Sequence, residues 1–142
     1  MTATVKYTKN GDVHTFETGL PAFEKIIIDQ TDVPEEERSG VAKQLLACAA
    51  LSCYTAALAG ALDARGARYT SITGEAILGL GANEVGQGRV KTMTLKVSVA
   101  LPKGDSEIFN RCAKIMKQGC LVTGSLHEGM DVAYDLKPHY ED

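Results

Sequence analysis

The chain has 142 residues, 44% of them hydrophobic, so it is long and apolar enough to bury the core of one domain. Lys and Arg number 15 against 18 Asp and Glu, and the net charge of −3 argues against binding to nucleic acid or to an anionic membrane surface. Aromatic residues make up only 6%, which also argues against stacking on single-stranded nucleic acid. We therefore expect a single domain over residues 1–142.

The first part of the chain predicts three β-strands. Asn10-Gly11 lies between two alternating stretches, TVKYTK and VHTFET, and is a common signal for a two-residue β-hairpin. A third strand is predicted at 23–29 (FEKIIID), after a Gly-Leu-Pro turn. The start of the chain shows no apolar segment typical of a secretion signal, so we expect a cytoplasmic protein.

A long helix is predicted at 41–64, because Ala and Leu dominate this segment and Gly66 follows it. Residues 45–62 carry no charge and approach the length that spans a bilayer. Alanine is abundant there and gains little from lipid burial, and no basic cluster flanks the segment, so we do not expect a membrane protein. We interpret it as the buried central helix of a soluble fold, whose second apolar side favours a homodimer.

Two more strands, a second helix and a last strand are predicted in the rest of the chain. Apolar residues alternate with polar or small ones within 68–80 and at 93–101, which indicates strands with one buried face. Asp105 is a candidate N-cap for an amphipathic helix at 106–118. A strand at 130–136 completes the order βββ-α-ββ-α-β, which predicts an α+β fold with antiparallel sheets.

The four cysteines are the residues most suited to chemistry. They form no C-x-x-C motif and the histidines lack zinc spacing, so neither a zinc site nor a thioredoxin-type motif is predicted. We interpret Cys48 and Cys112 as small buried hydrophobes. Cys53 lies in a polar break of the apolar helix, whereas Cys120 follows the second helix, whose negative dipole end disfavours a thiolate there. From the residues alone, a functional pair of Cys53 and Cys120 is one open alternative.

Two cysteine-containing segments and the stretch after them carry a family pattern. They are QLLACAALSC at 44–53, GCLVTGSL at 119–126 and EGMDV at 128–132. In composition and in element order they resemble the OsmC/Ohr family of osmotically inducible and organic-hydroperoxide-resistance proteins. The resemblance covers nearly the whole chain.

This resemblance implies a thiol peroxidase built as an intertwined homodimer, with active sites at the dimer interface. By position, Cys53 is the peroxidatic cysteine, whose thiolate attacks a hydroperoxide and becomes a sulfenic acid. Cys120 is the resolving cysteine, which condenses with the sulfenic acid to a disulfide that an external dithiol reduces. The resemblance also implies an apolar pocket for organic peroxides beside the Ala/Leu helix, and it requires neither a metal nor a flavin cofactor.

The chain also departs from the family pattern. Active peroxidases of the family carry a proline-glutamate pair at the start of the first helix, where this chain has Ala42 and Lys43. In those relatives the glutamate holds an arginine that lowers the pKa of the attacking cysteine. The predicted hairpin tip, KNGD, contains no arginine, so Arg38 and Lys43 are the candidate activating cations. The resemblance is therefore to a divergent OsmC-like branch.

Three functions remain open at this point. The first is a hydroperoxide reductase that uses Cys53 and Cys120. The second, which the missing glutamate favours, is a related redox or sulfur-handling enzyme with a non-peroxide substrate. The third is a module that binds a small apolar molecule while its cysteines stay passive.

Overall fold

Strands with alternating side chains form the first of two compact units, residues 1–41. In this unit β1 (Lys6–Asn10), β2 (Val13–Leu20) and β3 (Phe23–Asp29) make one antiparallel sheet in that order. The predicted hairpin is confirmed: Asn10 pairs with Val13 across a short loop that starts at Gly11, whose φ of 58° favours glycine. The computed structural model describes residues 2–130, 133, 136 and 137.

The second compact unit, residues 42–142, is built on helix α1 (Val41–Ala64), which has the predicted bounds. Its high content of Ala and Leu favours the helix, and Gly66, with a φ of 70°, lies just beyond its end. Within one chain a narrow stripe of α1 is buried, and the second apolar side, for which a homodimer is expected, stays uncovered. That stripe consists of Ala47, Ala50, Leu58 and Leu62.

By length and composition alone, the described part of the chain has one segment able to cross a membrane, Glu35–Ala64. The central helix of a soluble domain satisfies the same test.

After α1, strands β4 (Ser71–Ala82) and β5 (Gly88–Ala100) pair as a two-stranded antiparallel sheet. The predicted alternation is confirmed along β5, where every second side chain from Met93 to Val99 is half-buried. A register shift between Gly79 and Leu80 ends the alternation in β4, and Leu80 is exposed rather than buried as its even position predicted.

Helix α2 (Ser106–Met116) supplies the second half of the core of this unit. Cys112 and Met116 from α2 pack with Leu58 and Leu62 from α1. Asp105 stands at the predicted N-cap position, but its side chain makes no capping hydrogen bond. The predicted N-cap position is therefore confirmed, while the carboxylate accepts its hydrogen bonds from Arg68 rather than from the first turn of α2.

A third helix, α3 (Leu121–Glu128), was not predicted from the sequence. The predicted last strand at 130–136 falls largely on residues outside the described part of the chain, so it stays a prediction. Over the described residues the order is βββ-α-ββ-α-α. The α+β class with antiparallel sheets and a long helix is confirmed, and the single domain over 1–142 stays a prediction.

Candidate functional site

Cys53 lies in the middle of α1 and its side chain is half-buried. Its sulfur faces the start of α3, where the backbone N–H of Val122 donates to Cys53 Sγ at 3.4 Å. Both residues belong to the second compact unit, although they are far apart in sequence. The fold therefore places the Cys53 thiol, from the middle of α1, at the N-terminal end of α3, where backbone N–H groups lack helical partners.

Cys120 is the N-cap residue of α3, with an extended backbone at φ −121° and ψ −177°. A reciprocal capping arrangement joins it to Thr123: the Cys120 backbone N–H donates to Thr123 Oγ1 at 3.0 Å, and the Cys120 sulfur accepts from the Thr123 backbone N–H. Cys120 Sγ also lies 3.1 Å from Thr123 Oγ1. This arrangement fixes the position of the Cys120 sulfur at the positive end of α3.

The local electrostatics at Cys120 reverse the expectation drawn from the sequence. That expectation placed the sulfur at the negative end of α2, because no helix was predicted after residue 120. Since α3 begins directly after Cys120, the nearest helix terminus is an N-terminus, which favours a thiolate. The prediction that helix dipoles disfavour charge on Cys120 was therefore wrong.

The pKa of Cys53 is raised, whereas the pKa of Cys120 is lowered. The hydrogen bond with Cys120 is the main cause that raises the pKa of Cys53, and the Val122 N–H offsets it in part. Burial is the largest single influence on Cys120 and raises its pKa, but hydrogen bonds from Thr123 and Cys53 together outweigh burial and lower the pKa overall.

A cavity of about 640 Å³ lies in the second unit, and its lining includes Tyr54, which follows Cys53 in α1, and Thr123, whose hydroxyl contacts the Cys120 sulfur. Helices α1 and α3 and strand β5 contribute its lining, which is Leu46, Tyr54, Val90, Lys91, Thr92, Met93, Leu95, Thr123, Leu126 and His127. Half of these residues are purely apolar, while Tyr54, Lys91, Thr92, Thr123 and His127 add polar groups. Such a cavity suits a small molecule with an apolar body and a polar end.

The two candidate cations have different surroundings. Arg38 belongs to the first unit, where its Nε donates to the Val33 carbonyl at 2.7 Å and its guanidinium pairs with Asp12 at 3.2 Å. Lys43 is exposed on α1, ten residues before Cys53, a separation of roughly 15 Å along the helix axis. A direct contact within one chain is therefore beyond the reach of the Lys43 side chain, and an activating role for either cation stays a prediction.

The other two cysteines occupy contrasting places. Cys112 is completely buried in the α1–α2 core, as predicted. Cys48 is exposed, because it lies outside the buried stripe of α1, so the prediction of a buried hydrophobe was wrong for this residue. None of the four cysteines, all of them described, forms a disulfide in this structure.

Sequence reasoning did not single out several residues of the site. Thr123 is the main one, because its contacts with Cys120 depend on α3. This helix was not expected, since the segment after Cys120 contains Gly124, which disfavours a helix. The spacing of Cys120 and Thr123 matches the N-cap and N3 positions of a capping box, which was the available signal. Among the described residues no cluster of three or more His, Cys, Asp or Glu side chains could hold a metal ion.

Fold and site together define an α+β protein with antiparallel sheets, in which a thiol from the middle of a long helix faces the start of a short helix that is capped by a second thiol. The family model for OsmC-like proteins matches residues 41–135, more than half of the chain. The chain belongs to the OsmC-like family, whose members are soluble, and α1 is the first helix of the matched region.

Solved structures show the same fold. An OsmC-like protein of unknown function from Vibrio cholerae superposes with a TM-score of 0.68 at 18% identity, over 88% of this chain and 93% of that chain. A protein from Psychrobacter arcticus, assigned to osmotic stress induction and detoxification, gives a TM-score of 0.60 at 22% identity, over 88% of each chain.

An organic hydroperoxide resistance protein from Elizabethkingia anophelis gives a TM-score of 0.54 at 12% identity, over 88% of this chain and 89% of that chain. At such identities the likeness of all three structures establishes the fold. Among curated proteins, none matches the sequence significantly.

Proposed function

We propose that this protein is a thiol-dependent reductase of organic hydroperoxides that uses Cys53 and Cys120 as its dithiol. The observation that carries the proposal is the contact of Cys53 Sγ with the backbone N–H of Val122 at 3.4 Å, at the start of the helix whose N-cap residue is Cys120. A cavity with apolar and polar lining residues lies at the same place in the unit. Family membership supports a peroxide-related redox function, and the likeness to a hydroperoxide resistance protein agrees with it.

The proposed reaction needs only the two thiols, the peroxide and an external reductant. One thiolate attacks the outer oxygen of the hydroperoxide, the O–O bond breaks, and a sulfenic acid and an alcohol form. The second thiol displaces water from the sulfenic acid and forms a disulfide, which an external dithiol reduces. The family resemblance assigns the attack to Cys53 and the resolving step to Cys120, and the products are the same whichever thiol attacks.

The proposal includes a homodimer in the reducing cytoplasm, where an external dithiol can reduce the disulfide. A single chain leaves apolar side chains of the second unit exposed, which favours association with a second copy. They include Ile77, Leu80, Val85, Val90, Ile115, Leu121 and Leu126.

The test is mass spectrometry of the reduced protein before and after one equivalent of cumene hydroperoxide, with free thiols alkylated. We expect a rapid loss of two of the four thiols, mapped to a Cys53–Cys120 bridge. The variants Cys53→Ser and Cys120→Ser should each lose the bridge, and Cys53→Ser should abolish turnover with a dithiol. Cys48→Ser, which removes an exposed thiol outside the pair, is the matched control and should behave as the wild type.

A second candidate is binding of a small apolar molecule without thiol chemistry. It is favoured by the cavity and by the lack of a cation hydrogen-bonded to either thiol within the described residues. Four free thiols after minutes with the peroxide would contradict the reductase. Ligand binding that is insensitive to Cys53→Ser would then support the binding module.

A further inference from the structure

We propose that the cavity of the second unit binds molecules with a carboxylate at one end of an apolar body, and that Lys91 on β5 holds the carboxylate. For substrates this rests on the proposed function, and it names hydroperoxides that carry a carboxylate as the preferred class. The binding itself requires no thiol chemistry and can be tested without a peroxide.

A β-bulge sets the position of Lys91. In β5 this residue lies between Val90 and Thr92, whose partners on β4 are adjacent residues, so Lys91 is an extra residue without a partner on β4. A regular strand presents every second side chain to one face, whereas the four consecutive residues 90–93 all line the cavity. Because a bulge breaks the alternation of a strand, it allows Lys91 to line the same cavity as its neighbours.

Two glycines of β4 leave space for side chains at the bulge. A Cβ atom on Gly81 would lie 2.8 Å from Lys91 Cγ, so the methylene stem of Lys91 lies over this glycine. A Cβ atom on Gly79 would in the same way collide with the Thr92 hydroxyl. Neither glycine has a positive φ, so a special backbone conformation does not account for them. The space over Gly81 is therefore a steric requirement of the position of Lys91.

Within the described part of the chain, the ammonium group of Lys91 has neither a hydrogen bond nor an ion pair. The nearby Arg89, by contrast, donates to the Gly88 carbonyl at 2.7 Å and to Gln87 Oε1 at 3.2 Å. Acidic residues outnumber basic ones in the chain, yet no Asp or Glu is among the described residues that line the cavity. A carboxylate on a bound molecule would therefore give Lys91 an ionic partner.

The remaining lining fits an apolar body with a single negative charge. Five purely apolar residues, from α1, α3 and β5, suit an alkyl or aryl group, and the volume is typical of a small-molecule pocket. Lys91 is the one Lys or Arg among the described lining residues. A carboxylate matches one such charge, whereas phosphate groups are usually bound by arginines or by several converging backbone N–H groups.

The lining also includes neighbours of both thiols. Thr123 lines the cavity and its hydroxyl oxygen lies 3.1 Å from Cys120 Sγ, while Tyr54 follows Cys53 in α1. A hydroperoxide whose carboxylate is held by Lys91 therefore occupies the cavity next to residues of the reaction site. The reaction is the one proposed above: the hydroperoxide becomes an alcohol while two thiols become a disulfide. Lys91 binds and orients, and no bond to it forms or breaks.

The first test measures binding by isothermal titration calorimetry of the reduced protein with decanoate and with 1-decanol, which has the same alkyl chain and no charge. We expect decanoate to bind more tightly. Lys91→Met should weaken decanoate binding about tenfold, whereas Lys91→Arg, which keeps the charge, should retain most of the affinity. Lys96→Met removes the same charge from β5 outside this cavity and should behave as the wild type. Both lysines are exposed, so neither substitution should unfold the protein.

Three outcomes of this titration would overturn the role of Lys91: no binding of decanoate, equal affinity of the wild type for the two probes, or an equal loss in Lys91→Met and Lys96→Met. Tighter binding of decyl phosphate than of decanoate would overturn the choice of a carboxylate.

The second test probes the space over Gly81. Gly81→Ala places a methyl group against the Lys91 stem and should weaken decanoate binding several-fold, because the lysine must move. In a Lys91→Ala background, which lacks Cγ, the same substitution should have no further effect. Gly88→Ala is the matched control, since a Cβ there meets no atom. An equal loss in both backgrounds would contradict the position of Lys91 in the binding site.

The third test separates the substrate class from the reductase itself. Turnover with dithiothreitol is measured for cumene hydroperoxide and for its para-carboxylated derivative. We expect the wild type to favour the carboxylated substrate in kcat/KM, mainly through a lower KM, and Lys91→Met to reduce this preference about tenfold, whereas Lys96→Met keeps it. Turnover without a preference overturns the substrate class and keeps the reductase. If neither peroxide is turned over while decanoate binds through Lys91, the reductase fails and the carboxylate site stands.

Discussion

Asp105 illustrates at the scale of one residue how a buried carboxylate is stabilised in this fold. It is 6% exposed, and its oxygens accept hydrogen bonds from Arg68 at three points: the backbone N–H at 2.9 Å, and Nε and Nη2 at 3.3 Å each. These contacts join the start of α2 to the chain just before β4. The hydrogen bonds from Arg68, first of all those of its side chain, lower the pKa of Asp105.

We expect Asp105→Asn to destabilise the protein at neutral pH, because an amide cannot accept all three donors as an ionised carboxylate does. Urea unfolding followed by circular dichroism at pH 7 measures the shift as a lower midpoint. Asp32→Asn is the charge-matched control, since Asp32 is exposed in the first unit. Equal midpoints for the wild type and Asp105→Asn would show that the Arg68 contacts contribute nothing.

The same carboxylate predicts a dependence of stability on pH. Because its pKa is lower in the folded than in the unfolded protein, its contribution is fully present above the ordinary value of 3.8. It is lost as the pH falls from there through the folded pKa. The difference in urea midpoint between wild type and Asp105→Asn should therefore shrink between pH 5 and pH 2, and a difference that grows in acid would contradict this assignment.

At the scale of elements, the second unit depends on the contact between α1 and α2. Leu62 is completely buried and packs in the cluster of Leu58, Cys112 and Met116. Side chains from β4 and β5, among them Ile72 and Val97, cover this cluster. Because the core is small, the removal of one large side chain should lower the stability of the whole unit.

We expect Leu62→Ala to lower the free energy of unfolding by about 3 kcal/mol, through lost burial and the cavity that remains. Chemical unfolding of the reduced protein measures the change. Val85→Ala removes an apolar side chain that is 78% exposed in the turn between β4 and β5, and it should change the free energy by less than about 0.5 kcal/mol. Similar losses for both variants would contradict the assignment of the core.

At the scale of the whole molecule, the apolar surface that one chain leaves exposed predicts self-association. Light scattering coupled to size-exclusion chromatography should give a mass near twice the 15.1 kDa of the chain. Leu126→Lys, at the cavity wall on α3, and Ile115→Lys on α2 each place a charge at an exposed apolar position. A variant whose position lies in the interface should shift the measured mass toward that of one chain. A monomeric wild type at micromolar concentration would contradict the dimer.

Local patterns predicted much of the fold. Helix α1 has the predicted bounds because Ala and Leu favour a helix wherever the chain is placed. The hairpin at Gly11 and the alternation along β5 follow from turn geometry and from the two-residue period of a strand. Helix α3 escaped prediction because Gly124 and β-branched residues weaken its local preference, so other contacts must stabilise it.

The sequence by itself determined the class of fold, the family and the two cysteines worth testing, since helix propensity, strand alternation and family segments are local properties of the chain. Only the tertiary structure decided that the Cys53 sulfur faces the start of α3 and that Thr123 contacts the Cys120 sulfur. The contact of Cys53 Sγ with the Val122 N–H joins two helices that are far apart in sequence, and no local pattern encodes that geometry.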